Sequence, residues 1–308
     1  MPHGLRPHDS PERLPTMSAF LERIQTGELL ISDGATGTYL QQHGLEAGGC
    51  PEEMNASKPE VIKQMAREYF EAGSDMVETN TFGGSRYMLA KYDYGDRVHE
   101  LNRLGAEHAR SVTPEGCFVL GSIGPTGEFI EPNGTATKDQ MYGVFCQQCE
   151  GLAAGGVDAF CIETMSDLDE ISLAIVAAKD KTGLPVVATM TYDKGPRGYF
   201  TMFGITPAVA AEKLAEAGAD VVGTNCGLAI EHMIEIVTDM RAATDGPILA
   251  HVNAGIPKLV DGKEIIYPDT PEHMAEHMKR MVKAGANIVG GCCGTSPEYI
   301  REFSQTLR

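Results

Sequence analysis

The chain has 308 residues, 42% of them apolar and 22% charged, a globular balance able to bury a sizeable core. Its formal net charge of −18 excludes a surface built for nucleic acid or anionic lipid, which requires clustered Lys and Arg. No run approaches the ~20 consecutive apolar residues of a membrane span, and the polar, proline-rich start MPHGLRPHDSPERLPTM lacks the apolar centre of a signal peptide. The eight cysteines therefore read as thiols for metal or catalysis in a cytoplasmic protein, not as a disulfide framework.

Residues 1–19 read as a disordered lead-in, and 20–308 as a single domain without an internal linker. The first strand candidate is ELLISDG (28–34), followed by the helical pattern KPEVIKQMAREYFEAG (58–73) with proline near its first turn. Further strand candidates start near 75, 117, 158, 185, 219, 247 and 286. Four of them share one grammar, EAGSDMVETN, AGGVDAFCIET, EAGADVVGTN and KAGANIVGGC. In each, Ala-Gly closes a helix, with glycine free to take the left-handed cap, and a short apolar run then ends on polar or small residues. The patterns TPAVAAEKLAEAG (206–218) and TSPEYIREFSQTLR (295–308) supply later helices. Eight short buried strands alternating with helices predict an α/β fold, a closed (β/α)8 TIM barrel, ahead of an open doubly wound sheet. No Gly-x-Gly-x-x-Gly follows the first strand to support the open alternative.

In such a barrel chemistry gathers at the C-terminal ends of the strands. Those ends read Asp33, Glu78-Thr79-Asn80, Gly124-Pro125, Glu163-Thr164, Asn225-Cys226, Asn253-Ala254 and Cys292-Cys293. Cys226 ends the sixth strand and Cys292-Cys293 the eighth, so the three sulfurs can converge across the seventh. Adjacent residues of a regular strand face opposite ways, so the pair needs a distorted backbone; glycines 290, 291 and 294 are expected to provide it through positive φ. Three soft ligands suit Zn²⁺ with a fourth position open for substrate. A free thiol is mostly protonated at neutral pH, whereas coordination makes it a thiolate; the expected reaction is thiolate attack on a methyl group. Water activation would favour histidine ligands, and no histidine sits beside these cysteines in the sequence.

The structural alternative for a Cys-Cys pair is buried packing, and that is the reading preferred for Cys146 and Cys149, one helical turn apart in KDQMYGVFCQQCEGLAAGG. Cys50, Cys117 and Cys161 read as structural. None of the strand candidates contains a lysine, which argues against a Schiff-base aldolase or lyase. Two non-enzymatic readings remain open: a zinc- and thiol-binding subunit, and a redox or purely structural cysteine cluster.

The segments DGATGT (33–38), ETNTF (78–82), SIGPTGEFIEPNG (122–134), IET (162–164), GTNC (223–226), VNAGIP (252–257) and GGCCGTSPEYI (290–300) together resemble the homocysteine S-methyltransferase family, nearest to the homocysteine-binding module of cobalamin-dependent methionine synthase. The resemblance runs from about residue 20 to the C-terminus. It implies a (β/α)8 barrel, zinc on Cys226, Cys292 and Cys293, and a substrate amino group held by Glu163. Asp33 and the backbone around Gly34 would fix the amino-acid end. Asn225 and Asn253 would orient ligands or, equally, satisfy strand-end backbone. Glu163 and Asp33 could likewise be simple hydrogen-bond acceptors. Three positions depart from the family pattern: Val252 precedes Asn-Ala-Gly, GLAIEHM follows Cys226 without a proline, and Thr36 replaces methionine. The substrate is then homocysteine or a similar small thiol, and the product methionine. The expected donor is methylcobalamin carried by a separate corrinoid protein. The alternative is a small onium such as betaine or S-methylmethionine, for which no tryptophan is present to form a cage.

Overall fold

The computed structural model describes residues 18–260 and 264–308. Eight strands form one parallel sheet: β1 (Leu30–Ile31), β2 (Met76–Glu78), β3 (Phe118–Ile123), β4 (Ala159–Met165), β5 (Val186–Met190), β6 (Val221–Asn225), β7 (Ile248–Val252) and β8 (Ile288–Gly291). Their spatial order, β1-β8-β7-β6-β5-β4-β3-β2, brings the first two strands to the two ends of the ladder. There the seam is closed by other means. The Asp75 amide donates to the Ile31 carbonyl at 2.7 Å, and the Asp75 carboxylate accepts the Ile31 amide at 2.7 Å. Higher up, the Asp33 carboxylate accepts the Glu78 amide at 2.8 Å. Two side chains thus stand in for ladder bonds, and the barrel replaces the open sheet.

A helix follows each strand: α1 (Pro59–Ala72), α2 (Val98–Arg110), α3 (Lys138–Ala154), α4 (Leu168–Thr182), α5 (Pro207–Glu216), α6 (Ile230–Ala243), α7 (Pro271–Ala284) and α8 (Pro297–Leu307). Their starts are chemically marked. Proline occupies the first turn of α1, α5, α7 and α8, and Thr137 and Gln140 form a reciprocal capping box on α3. The Ala-Gly cap holds at Gly73 and Gly285, with φ of 109° and 116°; in Gly155-Gly156 the second glycine takes the left-handed role instead, at 88°.

Strand alternation divides the apolar residues into two cores. Ile31, Val77, Val119, Phe160, Val222 and Val289 point outward against the helices. Leu30, Met76, Phe118, Leu120, Val187, Val221, Leu249 and Ile288 fill the interior, and Phe20 and Ile24 join that inner cluster. The helix Ala19–Gln25, capped by Ser18, therefore plugs the N-terminal end of the barrel, with Phe20 edge-on to Phe118 at 5.4 Å. The lead-in expected through residue 19 lies mostly outside the described residues; Ser18 and Ala19 belong to this helix. Cys146 and Cys149 are buried in the outer core, as their helical spacing predicts.

Candidate active site and metal centre

Two residues above the apolar layer, the inward positions become polar: Ser32, Glu78, Ser122, Glu163, Thr189, Asn225 and His251, all largely buried. Parity accounts for the change, because each stands an even number of places after an inward apolar residue, four in the case of Val221 to Asn225 and two in the others. This layer lies below a cavity of about 350 Å³, within the usual range for a small-ligand site. Gly34, Glu78, Glu163, Cys226, Cys292 and Cys293 are among its lining residues.

The three cysteines meet as their strand positions predict. Their sulfurs lie within 4.8 Å of one another, with Cys226 Sγ to Cys293 Sγ at 3.9 Å. Sulfurs around a tetrahedral zinc with bonds of about 2.3 Å stand roughly 3.8 Å apart, so the spacing fits that ion. The backbone route differs from the expectation. Gly290 and Gly291 stay in the strand, and among the predicted glycines only Gly294 has positive φ, at 82°. The first two are needed for space: a Cβ on Gly291 would lie 2.0 Å from Thr295 Oγ1, and one on Gly290 would lie 2.8 Å from Ser32 Cβ. The strand ends at Gly291, so Cys292 and Cys293 occupy a turn and escape alternation. Thr295 Oγ1 donates to the Cys292 carbonyl at 2.6 Å, and the Cys293 amide donates to Asn253 Oδ1 at 3.0 Å. On the facing strand Cys226 itself adopts φ 60°, ahead of Gly227 at 77°.

Hydrogen bonds from the thiols of Cys292 and Cys293 hold Cys226 far below the ordinary thiol range, and the same sharing pushes Cys292 well above it. All three become thiolates together only beside a cation, so the donor chemistry fits a soft divalent metal.

Glu163 is 7% exposed. Its Oε1 accepts from Ser122 Oγ at 2.6 Å and its Oε2 from Asn225 Nδ2 at 3.2 Å. Burial pushes its carboxyl up to about 7. Asn225 is fully used: Oδ1 accepts from the Thr164 amide and from Thr189 Oγ1, while Nδ2 also donates to Thr164 Oγ1 at 2.7 Å. It therefore fixes three strand ends and connects Glu163 to the cysteine wall, its Nδ2 lying 3.9 Å from Cys292 Sγ. Thr164 meets it with φ 59°, at a register shift between β4 and β5.

Of the predicted contacts Gly34 and Glu163 line the cavity, whereas Asn225, Asn253 and Asp33 do not; Asp33 lies in the seam. It is 2% exposed and absent from the cavity lining; its side chain is engaged with the Glu78 amide and Ser32 Oγ, and its carbonyl accepts the Gly291 amide at 2.7 Å. Burial pushes its carboxyl up to about 7. Gly34 does line the cavity, where a Cβ would lie 2.5 Å from the Thr295 carbonyl. Asn253 acts from behind the wall through the Cys293 amide.

Three groups receive no role from the sequence, although Glu78 stands among its strand-end residues. Glu78 faces the cavity beside Glu163, and burial and that neighbour push its carboxyl well above the usual range. His251 is 1% exposed, with Nδ1 3.6 Å from Glu78 Oε1, and burial lowers it to about 3. Glu78 Oε1 and His251 Nε2 both lack hydrogen-bond partners among the described residues. Glu52, from the segment between β1 and α1, is buried at the cavity edge and accepts the Gly83 amide at 2.6 Å. Strand parity signals Glu78 and His251; nothing local signals Glu52.

Known proteins bear on this geometry in three ways. The family model for homocysteine S-methyltransferase matches residues 30–307. Methionine synthase of Mycobacterium tuberculosis is 33% identical over 304 residues, covering 92% of this chain and 25% of that protein; the Mycobacterium leprae methionine synthase is 32% identical, covering 91% and 24%. The chain thus spans about a quarter of the length of these relatives. Among solved structures, the metallated form of the homocysteine methyltransferase MmuM from Escherichia coli superposes with a TM-score of 0.77 at 19% identity, covering 93% of this chain and 99% of that one, a likeness of fold. Carried by a family match across nearly all of the barrel, the chain is an enzyme of the homocysteine S-methyltransferase family.

Proposed function

We propose that this barrel methylates homocysteine on sulfur, with zinc held by Cys226, Cys292 and Cys293, and yields methionine. The observation that carries this reading is the cysteine triad on one wall of a cavity whose floor carries Glu78 and Glu163. Zinc bound there would keep the substrate sulfur as a nucleophilic thiolate at neutral pH. The protein's own groups do the rest. Glu163 accepts the substrate ammonium, and its ionisation becomes favourable when that cation arrives in the low-dielectric floor. Asn225 holds Glu163 and the cysteine wall in one register. Asp33 positions the Glu78 backbone and the end of β8 at Gly291, and the Gly34 backbone shapes the wall beside them. Asn253 steadies the Cys293 amide. The absence of lysine from the barrel strands removes the Schiff-base alternative.

For the donor, the reading adopted is a methylated corrinoid carried by another protein. Phe82 lines the cavity and exposes 40% of its surface, so apolar area is offered where a bulky donor would approach. One observation favours a second donor class: Phe82 and Tyr92 both line the cavity and supply ring faces for an onium methyl donor. The experiment is methyl transfer from methylcobalamin to homocysteine by zinc-loaded protein, with S-methylmethionine and betaine as parallel donors. Cys292→Ala is expected to lose metal and transfer together while remaining folded. Transfer from an onium alone would reassign the donor, and transfer by metal-free protein would remove the mechanism.

A further inference from the structure

A second convergence of metal-binding groups lies away from the cysteines. His273 and His277 stand one turn apart on α7, and Glu231 lies in the first turn of the neighbouring α6. Glu231 Oε1 is 3.6 Å from His273 Nε2 and 3.6 Å from His277 Nε2, and the three ligand atoms all fall within 4.8 Å of one another. The two rings pack at a centroid distance of 4.4 Å.

The hydrogen bonding gives the cluster its meaning. His277 Nδ1 lies 2.9 Å from the His273 carbonyl oxygen, which can only accept, so the proton is on Nδ1. In the neutral ring Nε2 is then a bare lone pair, and it points at a carboxylate oxygen. Two acceptors facing each other repel unless a cation or a proton stands between them. At 3.6 Å the atoms are beyond a good hydrogen bond. That separation suits ligands of one tetrahedral ion with bonds of about 2.0–2.1 Å, whose donor atoms stand roughly 3.3 Å apart. The Nδ1-to-carbonyl bond is also the usual outer support of a metal-binding imidazole, fixing its tautomer and direction.

We infer that Glu231, His273 and His277 form a second divalent transition-metal site, distinct from the thiolate centre in place and in donor chemistry. Two imidazoles and one carboxylate select borderline ions such as Zn²⁺, Co²⁺, Ni²⁺ or Cu²⁺ over Mg²⁺ and Ca²⁺. The side chains of Glu231 and His273 are 45% and 43% exposed, so the remaining coordination positions open to water and the ion exchanges freely. An ion here ties the start of α7 to the start of α6, which begins four residues after the thiolate ligand Cys226.

Cobalt(II) separates the two sites, because only a thiolate site gives intense sulfur-to-metal charge-transfer absorption. Equilibrium dialysis of the full chain under reducing conditions is expected to show two equivalents bound, with that absorption complete after one of them. In His273→Ala/His277→Ala, at exposed or half-buried positions, uptake should fall to one equivalent with the charge-transfer band unchanged. In Cys292→Ala the band should vanish while the equivalent at the histidines remains. Saturation of the wild type at one equivalent would overturn the inference. So would two equivalents retained by the double histidine variant, or a second equivalent that adds charge-transfer intensity.

Discussion

The lower and upper halves of the barrel interior are built on the same strands with the same alternation, yet they are opposite in chemistry. Below, Leu30, Met76, Phe118, Leu120, Val187, Val221, Leu249 and Ile288 close on Phe20 and need only to exclude water. Two to four residues further along, Ser32, Glu78, Ser122, Glu163, Thr189, Asn225 and His251 bring largely buried polar atoms together. Some of those atoms have no hydrogen-bond partner among the described residues. The lower layer makes the fold, and the upper layer spends part of that stability on groups held ready for a charged substrate. Parity along the strand keeps the two functions apart.

This division can be tested from both sides. Phe20→Ala should remove the plug and destabilise the protein by about 3–5 kcal/mol, the usual range for truncating a buried aromatic. Denaturant unfolding measures the loss, and metal stoichiometry of the folded protein should not change. A concurrent loss of metal would mean that the layers are not separable. Glu163→Gln should do the reverse. It removes a charge-assisted bond of about 1.5–3 kcal/mol to the substrate ammonium, so the apparent homocysteine affinity should drop roughly 10–100-fold while metal is retained. Unchanged affinity would take the ammonium contact away from Glu163.

A smaller effect follows from burial in the upper layer. Asp33 and Glu163 are each pushed up to about 7 in the folded protein, from ordinary values of 3.8 and 4.5. Over that interval the folded state holds protons that the unfolded state has released. The contribution is therefore fully present below the unfolded values and is lost as pH rises through about 7, at no more than about 1.4 kcal/mol per pH unit for each group. Metal-free wild type should lose stability relative to metal-free Glu163→Gln across this window. A difference that is constant with pH would show that the Glu163 carboxyl is not held protonated.

Most of the barrel was legible because its signals are local. The Ala-Gly caps, prolines in first helical turns and short apolar runs each report on their own neighbourhood. The cysteine triad was legible for a related reason: a closed barrel forces the ends of β6 and β8 to flank β7. What stayed hidden depends on which way a side chain faces across a seam. Asp33 lies two residues beyond a two-residue strand, too short for alternation to show that its carboxylate turns to the Glu78 amide and not to the cavity. Glu78 was one of three polar residues at a strand end, and His251 looked remote because chain distance from the cysteines is a poor guide to distance across a barrel. The glycines of GGCCGT suggest positive φ at all three positions, whereas Gly290 and Gly291 instead provide room for Thr295, Ser32 and His251.

The central claim is that the three cysteines of the cavity wall present a metal with one position free for the substrate sulfur. X-ray absorption at the zinc edge of loaded protein counts the sulfur neighbours directly. The account predicts three sulfurs from the protein alone and four when homocysteine is added, with no fourth in Glu163→Gln at the same low homocysteine concentration. A count that stays at three in the wild type under saturating homocysteine would contradict it.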